Sequence, residues 1–272
     1  MRERADFLIN YAYAHGPVTV RQLFYAATVA GLIEKSESGY SKVQTQVLAL
    51  RREGRLPYRC VADATRYMRK AASFDGWEEA LADTARIYRK NLWAGTELEV
   101  EIWLEKSALA GVLMPVTEEF DVPLMPTGGY TSETFAHGAV ERLCGSGRTL
   151  IVYSLYDFDR SGHDATASLK EKVERFGAEF GVPVQFEVLG LTEQQVIELE
   201  LPTRPAKNKS AADRRWPYSF AAELDAIPPD TIRDMVRTAI ERHLPAYELA
   251  KLKTIEQMER DTLLRFIGGS VQ

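Results

Sequence analysis

Cysteine and histidine are scarce in this chain. Its two cysteines, Cys60 and Cys144, stand far apart with no metal-ligand spacing, and the four histidines are scattered. The sequence therefore predicts neither a disulfide framework nor a zinc site. His163, which directly follows Gly162, is expected to face solvent in the first turn of a helix rather than to act in catalysis.

The sequence also lacks long apolar runs and nucleotide-binding loops. No run reaches the roughly 20 apolar residues of a membrane-spanning helix, and the first residues lack the pattern of a signal peptide. We expect a cytoplasmic protein with no membrane partner. No Gly-x-x-x-x-Gly-Lys-Ser/Thr segment occurs, so no ATP-binding site is predicted.

The chain has fewer basic than acidic residues, with a formal net charge of −5 at pH 7. The basic residues are unevenly distributed along the sequence. Residues 1–70 hold 12 Lys/Arg and 6 Asp/Glu, whereas residues 71–272 hold 22 and 33. A basic N-terminal part suits contact with DNA, because neutralised phosphates supply most non-specific affinity. The alternative is a solvated helix end, where arginines also interact well with the helix dipole.

Two apolar runs end in acidic residues. Residues 149–155 predict a buried strand, and Asp157, Asp159 and Gly162 follow it. Carboxylates at the carboxyl end of a strand in an open α/β sheet face the crevice where ligands bind. Two hard oxygen ligands there suit Mg²⁺ or Mn²⁺. A second predicted strand, residues 98–104, ends in Glu105 and Lys106.

Helical and extended patterns alternate around these runs, which predicts an α/β fold with a parallel sheet. The predicted elements are a helix after Glu105, a short strand at 122–125, a Gly-rich loop at 127–130, a helix at 132–143, a helix at 163–180 and a strand at 184–189. A Glu after an early strand and an Asp-x-Asp after a later one resemble the Toprim domain of topoisomerases, primases and related nucleases.

The N-terminal part predicts a winged helix-turn-helix over residues 1–70. Helices are expected at 18–31 and 40–54, followed by a short extended piece at 56–61, with the second helix reading DNA. The predicted DNA-contact residues are Lys42, Arg51, Arg52, Arg55 and Arg59.

The two halves together resemble the A subunit of type IIB DNA topoisomerases (topoisomerase VI A) and the related protein that makes meiotic double-strand breaks. The resemblance covers about residues 15–200 and includes the motif from Thr19 through Arg21 and Phe24 to Tyr25. It implies that Tyr25 is the catalytic tyrosine, which forms a 5′-phosphotyrosyl link in double-stranded DNA. It also implies that Glu105 joins the two aspartates as a metal ligand, and that a homodimer brings Tyr25 of one subunit to the metal of the other.

The chain departs from that family in several respects. The family often has Asp-x-Asp-Pro-x-Gly, whereas this chain has Arg160 and Ser161 between Asp159 and Gly162. Phe24 leaves no second tyrosine beside Tyr25. The chain is short and has no ATPase segment, so strand passage driven by ATP would need a separate B-type ATPase subunit.

A chemical mechanism follows from these residues. Arg21 lies four residues before Tyr25, on the same helix face, where it can hold the scissile phosphate. Metal on the carboxylates would stabilise charge on that phosphate, and Glu105 is alternatively a general acid for the 3′ hydroxyl. Two other functions stay open: a Toprim nuclease that uses metal-activated water while Tyr25 only packs, and a non-catalytic DNA-binding module.

The remaining segments give weaker signals. Residues 71–96 predict a connector whose helix packs on one or both domains through Trp77, Leu81, Ala85, Ile87 and Tyr88. The predicted division is a winged-helix domain at 1–70, a helical connector at 71–96, a Toprim domain at 97–200 and a C-terminal part at 201–272. The C-terminal part is expected to contain an extended loop at 201–210 and helices at 230–243 and 244–266. Glu223 and Asp225 are either a helix-end or turn pair before Pro228, or they extend the acidic metal site or contact the DNA end.

Overall fold

A central parallel sheet with helices on both faces organises the computed structural model, which describes residues 2–62, 71–208, 210–211 and 213–269. The helices are α1 Arg2–His15, α2 Val20–Val29, α3 Glu37–Arg52, α4 Trp77–Ile87, α5 Ser107–Glu119, α6 Glu133–Glu141, α7 Arg160–Phe180, α8 Glu193–Glu198, α9 Pro229–Glu241 and α10 Ala246–Gly269. The strands are β1 Leu98–Leu104, β2 Leu124–Pro126, β3 Thr149–Leu155, β4 Val184–Gly190, β5 Thr203–Pro205 and β6 Phe220–Ala222.

The main sheet has the strand order β2-β1-β3-β4, and all of its pairs are parallel. This confirms the predicted α/β fold with a parallel sheet. The two central strands run in register from Leu98 opposite Thr149 to Leu104 opposite Leu155. Since both strands end at the same level, the residues that follow them meet at one edge of the sheet.

Successive residues of the central strands pack on opposite faces of the sheet, as the pleat requires. Trp103 and Leu150 belong to the apolar cluster beneath α6 and α7. Ile102 and Ile151 belong to a larger cluster on the other face, which includes residues of α5 and α9. That larger cluster continues into α1, α2 and α3, so the N-terminal helices and the sheet share one core.

The N-terminal helices begin at clear capping residues. Thr19 forms a capping box with Gln22 at the start of α2, and Ser36 caps α3. The piece predicted to be extended at 56–61 instead contains a 3₁₀ turn at Tyr58–Cys60. Within residues 2–62 one isolated bridge, Val18 to Val61, is the only strand pairing, and residues 63–70 lie outside the described part. A winged helix is therefore not confirmed.

The connector and the C-terminal part differ from expectation in two respects. Of the residues predicted to pack from the connector helix, Ala85 is buried, Leu81 and Tyr88 are partly buried, and Trp77 and Ile87 are 60 % and 58 % exposed. The expected packing is thus confirmed for Ala85 and wrong for Trp77 and Ile87. The loop predicted at 201–210 contains β5, which pairs with β6 in a small antiparallel sheet. Three-residue strands carry too little pattern to be recognised before their partner is known.

None of the helices in the described part of the chain is both long enough and apolar enough to cross a membrane.

Replacing Leu150 by Ala should destabilise the fold, because Leu150 is fully buried in the cluster under α6 and α7. A loss of about 2–5 kcal/mol in the free energy of unfolding is expected from the lost burial and the cavity left behind. Urea denaturation measures it. The matched control, Leu48→Ala, changes a leucine that is 46 % exposed and should stay within about 0.5 kcal/mol of the wild type.

Candidate active site

A cleft of about 720 Å³ lies between the N-terminal helices and the carboxyl edge of the central strands. It brings together most of the predicted functional residues and several that were not predicted. The charged and polar side chains in its lining are Thr19, Arg21, Tyr40, Arg51, Glu105, Lys106, Ser107, Asp157, Asp159, Ser161, Arg204, Lys207, Glu223 and Asp225.

Glu105 and Asp157 are neighbours because β1 and β3 end in register. The Glu105 N–H donates to the Leu155 carbonyl at 2.9 Å, and the Asp157 N–H donates to Glu105 Oε2 at 2.8 Å. Burial, together with the charge of Asp157, raises the pKa of Glu105. Burial also raises the pKa of Asp157, although the Lys106 ammonium opposes it. Both carboxyl groups thus hold a proton more readily than in water.

Asp159 has a structural task as well as a place in the cleft. It caps α7 by accepting the Gly162 N–H at 2.8 Å on Oδ1, while Arg204 donates to Oδ2 at 2.7 Å. Gly162 is required for this tight entry into the helix, because a Cβ there would lie 2.2 Å from the Asp157 carbonyl oxygen. The glycine that follows the acidic pair in the sequence is thereby explained.

Lys106 is the cation around which the acidic residues gather. Its Nζ lies 3.0 Å from Asp157 Oδ1, 2.9 Å from Asp225 Oδ2 and 3.3 Å from Glu223 Oε2. Burial alone would lower the pKa of this ammonium, but the three carboxylates outweigh it and raise the pKa above its ordinary value. Lys106 is therefore charged, and it neutralises part of the acidic cluster.

Glu223 and Asp225 line the cleft, and they also lie at a short turn, Leu224–Ala226, just before Pro228. Their position thus agrees with both alternatives for this pair. Arg21 donates to Glu223 Oε2 at 2.7 Å, and the Thr19 hydroxyl donates to Asp225 Oδ1 at 3.3 Å. Burial would raise the pKa of Glu223, but the charges and hydrogen bonds of Lys106 and Arg21 hold it below the ordinary value. The start of α2 is thus attached to the segment after β6 by an ion pair and a hydrogen bond.

The carboxylates fit a divalent metal in chemistry but are not arranged as a finished ligand set. Glu105, Asp157 and Asp159 supply hard oxygens and excess negative charge, which suit Mg²⁺. Across the described ranges, however, no three Asp, Glu, His or Cys side chains converge as metal ligands. Metal bound by these carboxylates would replace contacts that Lys106 and Arg204 now supply.

Tyr25 lies on α2 next to this cleft but is not part of its lining. Tyr25 is only 4 % exposed, and its ring packs beside that of Phe24. Together with Asp225 and Ile227, it borders a separate cavity of about 450 Å³. Burial raises the pKa of its hydroxyl, and the charge of Glu223 adds to that effect. No hydrogen bond joins the hydroxyl to any residue that the structure describes.

The predicted DNA-contact residues do not form one set. Arg51 lines the cleft and its guanidinium lies 4.2 Å from the centre of the Tyr58 ring. Arg55 forms ion pairs with Asp6 and Glu53. The remaining three are exposed on or just after α3, and they are Lys42, Arg52 and Arg59.

Sequence reasoning missed Lys106 and Arg204 as residues of the site. Lys106 directly follows Glu105, and Arg204 stands in the basic, Pro-rich loop, so each had a local signal. Their partners lie far away in sequence: the Lys106–Glu223 and Arg204–Asp159 contacts span 117 and 45 residues. His163, by contrast, has a side chain that is 72 % exposed, as expected.

Replacing Glu105 by Gln should raise stability at neutral pH when no metal is present. The raised pKa of Glu105 means that its ionised form is the less stable one in the folded protein. Its stabilising contribution is complete below the ordinary pKa of 4.5 and is lost as the pH rises through the higher folded value. The melting temperature of the wild type should therefore fall more between pH 4 and 7 than that of the variant.

Scanning fluorimetry across this pH range, in chelator-treated buffer, makes the measurement. The exposed Glu118→Gln is the matched control and should keep the wild-type pH profile. Mg²⁺ should then raise the wild-type melting temperature by mass action and raise that of Glu105→Gln much less. Superimposable profiles for all three proteins would contradict the assignment of Glu105.

Replacing Lys106 by Met should destabilise the protein by about 3 kcal/mol, since breaking a buried ion pair leaves charges without a partner. The three carboxylates around Lys106 would then repel one another, so Mg²⁺ should restore more stability to this variant than to the wild type. Lys170→Met, at a side chain that is 51 % exposed, is the control. A variant that is as stable as this control would refute the counter-ion role.

Comparisons with known proteins give no further assignment of the cleft. A scan against protein-family models finds no match to this chain. A search of curated protein sequences likewise finds no match. The function proposed below therefore rests on the sequence motifs and on the side chains of the cleft.

Proposed function

We propose that this chain is a metal-dependent DNA-cleaving enzyme of the topoisomerase VI A type, with Tyr25 as its nucleophile. The observation that carries the proposal is the meeting of Arg21 with Glu105, Asp157 and Asp159 in one cleft. These residues come from two parts of the chain that the family resemblance joins. Within this proposal, residues 1–70 act as a winged-helix unit and residues 97–200 as a Toprim domain.

Phosphate binding is the task proposed for the cations of the cleft. Arg21 has a guanidinium that suits bidentate contact with a phosphate, and it lies beside the predicted metal carboxylates. Mg²⁺ or Mn²⁺, held by Glu105, Asp157 and Asp159, would supply charge stabilisation for the phosphate and the leaving oxygen. A bound phosphate would compete with Glu223 for Arg21, because the two interact with the same guanidinium.

The proposed reaction exchanges one phosphoester bond for another. The Tyr25 oxygen attacks phosphorus, the bond from phosphorus to the 3′ oxygen breaks, and a 5′-phosphotyrosyl link remains. The tyrosine proton must leave and the 3′ oxygen must gain one. Glu105 is the general acid only as the alternative to holding the metal, because a protonated carboxyl group is not an anionic ligand. Its raised pKa suits that alternative role.

The burial of Tyr25 sets a condition on this reaction. A phenol with a pKa above its ordinary value of about 10 is a weak nucleophile until it is exposed to a base or a cation. In the proposed homodimer, Tyr25 of one subunit reaches the carboxylates of the other, so the tyrosine must leave the packing that covers it within its own chain. Double-stranded DNA is the proposed substrate, and a separate ATPase subunit is the proposed source of ATP-driven strand passage.

A hydrolytic nuclease is the second candidate, and the position of Tyr25 favours it. All three predicted metal ligands line the cleft, whereas Tyr25 does not. Water activated by a metal would then attack the phosphate, and Tyr25 would serve only in packing. A non-catalytic DNA-binding module is less well supported, because it gives no role to Glu105 and Asp157, two partly buried carboxyl groups with raised pKa values.

Replacing Tyr25 by Phe should abolish both DNA cleavage and covalent capture, because it removes the attacking oxygen. DNA affinity and melting temperature should change little, since the hydroxyl makes no hydrogen bond with the described residues. End-labelled duplex DNA is incubated with the protein and Mg²⁺ or Mn²⁺, denatured with SDS, and examined for label attached to protein.

The control for this experiment is Tyr13→Phe, at a tyrosine of α1 that is 55 % exposed, which should cleave like the wild type. Metal-dependent cutting by Tyr25→Phe would establish the hydrolytic nuclease instead. Binding without cutting by the wild type under all metal conditions would favour the non-catalytic module.

A further inference from the structure

A third cavity, of about 400 Å³, lies on the other side of the segment Asp157–Asp159 from the cleft. Its apolar wall consists of aromatic rings. Phe158 lies 5.0 Å from Trp216 and 4.9 Å from Tyr218, measured between ring centres, and Trp216 lies 5.1 Å from Tyr218. Trp216 and Tyr218 are both partly exposed, so their rings remain open to a ligand. We call this space the aromatic cavity.

The aromatic cavity and the cleft share one wall. Asp157 and Asp159 line the cleft, and Phe158, between them, lines the aromatic cavity. Phe158 is in an extended pairing with Ala222, with an N–H to carbonyl distance of 3.0 Å in both directions. Because side chains alternate along extended chain, the carboxylates and the ring project to opposite sides. A ligand that binds in both the cleft and the aromatic cavity must therefore extend around the segment Asp157–Asp159.

The rim of the aromatic cavity carries two arginines, Arg160 and Arg215, against one carboxylate, Asp164, together with His163. Arg215 is exposed and makes no ion pair with any residue in the described part of the chain. His163, with its side chain 72 % exposed, lies with its ring 6.0 Å from that of Trp216. Arg160 also borders the cavity but is held by Asp213 and Asp164. Arg215 and His163 are therefore the rim groups that can turn toward a ligand.

The aromatic wall and the basic rim together indicate which class of ligand the aromatic cavity binds. Cages of aromatic rings also bind quaternary ammonium groups, but the guanidinium of Arg215 at the rim, which has no carboxylate partner among the described residues, repels a cation. Aromatic rings beside basic side chains are typical of sites for unpaired nucleic acid, where bases stack on the rings and phosphates meet the cations. The volume falls within the roughly 300–1,000 Å³ of small-ligand pockets, so one nucleobase can be accommodated.

We propose that the aromatic cavity binds an unstacked nucleobase of the DNA strand whose phosphate occupies the cleft. This inference rests on the proposed DNA-cleaving function, and it adds a subsite for the nucleotide next to the scissile phosphate. The base stacks against Trp216 and Tyr218, and Arg215 contacts the adjoining phosphate. Removing one base from a duplex costs a few kcal/mol, which stacking in the cavity offsets in part.

Binding of a fluorescently labelled single strand of about eight thymidines tests the proposal by anisotropy, without metal. Trp216→Leu removes the stacking surface and should weaken affinity by about ten-fold or more. Arg215→Ala should weaken it several-fold and reduce the salt dependence of binding. The matched control, Trp77→Leu, changes a tryptophan that is 60 % exposed on α4 and should bind like the wild type.

The Arg215→Ala variant guards against a folding artefact, because the Trp216 indole N–H donates to the Phe220 carbonyl and its loss disturbs local packing. Wild-type affinity in both the Trp216 and the Arg215 variants overturns the proposal, as does a wild-type protein that binds no single strand. Equal weakening in the Trp77 control also overturns it, since the effect would then not belong to the cavity.

The assay also separates this proposal from the cleavage proposal, since it needs neither metal nor Tyr25. Single-strand affinity that depends on Trp216 and Arg215 supports the aromatic cavity even if the wild-type protein cuts no DNA. DNA cleavage combined with unchanged single-strand affinity in both variants overturns the aromatic cavity and leaves the cleavage proposal standing.

Discussion

The ammonium group of Lys106 is the contact on which the arrangement of the cleft depends. It lies within 3.3 Å of carboxylates from two separate parts of the chain. Without that charge, Asp157, Glu223 and Asp225 would face one another in a poorly solvated space, where like charges are costly. Glu223 in turn holds Arg21. One cation thus keeps the sheet edge, the segment after β6 and the first turn of α2 in a single electrostatic network, and any ligand that carries positive charge into the cleft competes with it.

The strands that precede the predicted metal ligands could be predicted from the local spacing of apolar residues. The apolar runs of β1 and β3 gave both strands with their observed bounds, and Gly162 was explained by the tight entry into α7. The contacts between side chains of the cleft could not be predicted in this way, because they join residues far apart in the sequence. Nothing near Glu223 indicates that Lys106 will reach it, because that contact spans 117 residues. The pairing of β5 with β6 and the exposure of Trp77 on α4 are likewise decided by which surfaces the rest of the chain leaves open.

Tyr25 shows most clearly which properties of a residue its local sequence predicts and which depend on the surrounding fold. Its motif and its helical spacing from Arg21 placed both residues on α2, and the structure has them there. Whether the hydroxyl faces a ligand depends on what covers α2, and that covering comes from residues around Asp225 and Ile227. The same segment that orders Arg21 through Glu223 also helps to bury the tyrosine. The contact that orders Arg21, the proposed phosphate-binding residue, therefore opposes the exposure of Tyr25, the proposed nucleophile, within one chain.

The distance along the chain between α2 and its covering segment has a consequence for biosynthesis. Arg21 and Glu223 are separated by 202 residues, and the apolar cluster that α1, α2 and α3 enter includes residues of α9. A ribosome releases the N-terminal helices first, long before the chain that completes their packing has been made. The surroundings of the tyrosine are consequently completed only late in synthesis, and a chain that stops before residue 223 would leave this surface of α2 open to water and to chaperones.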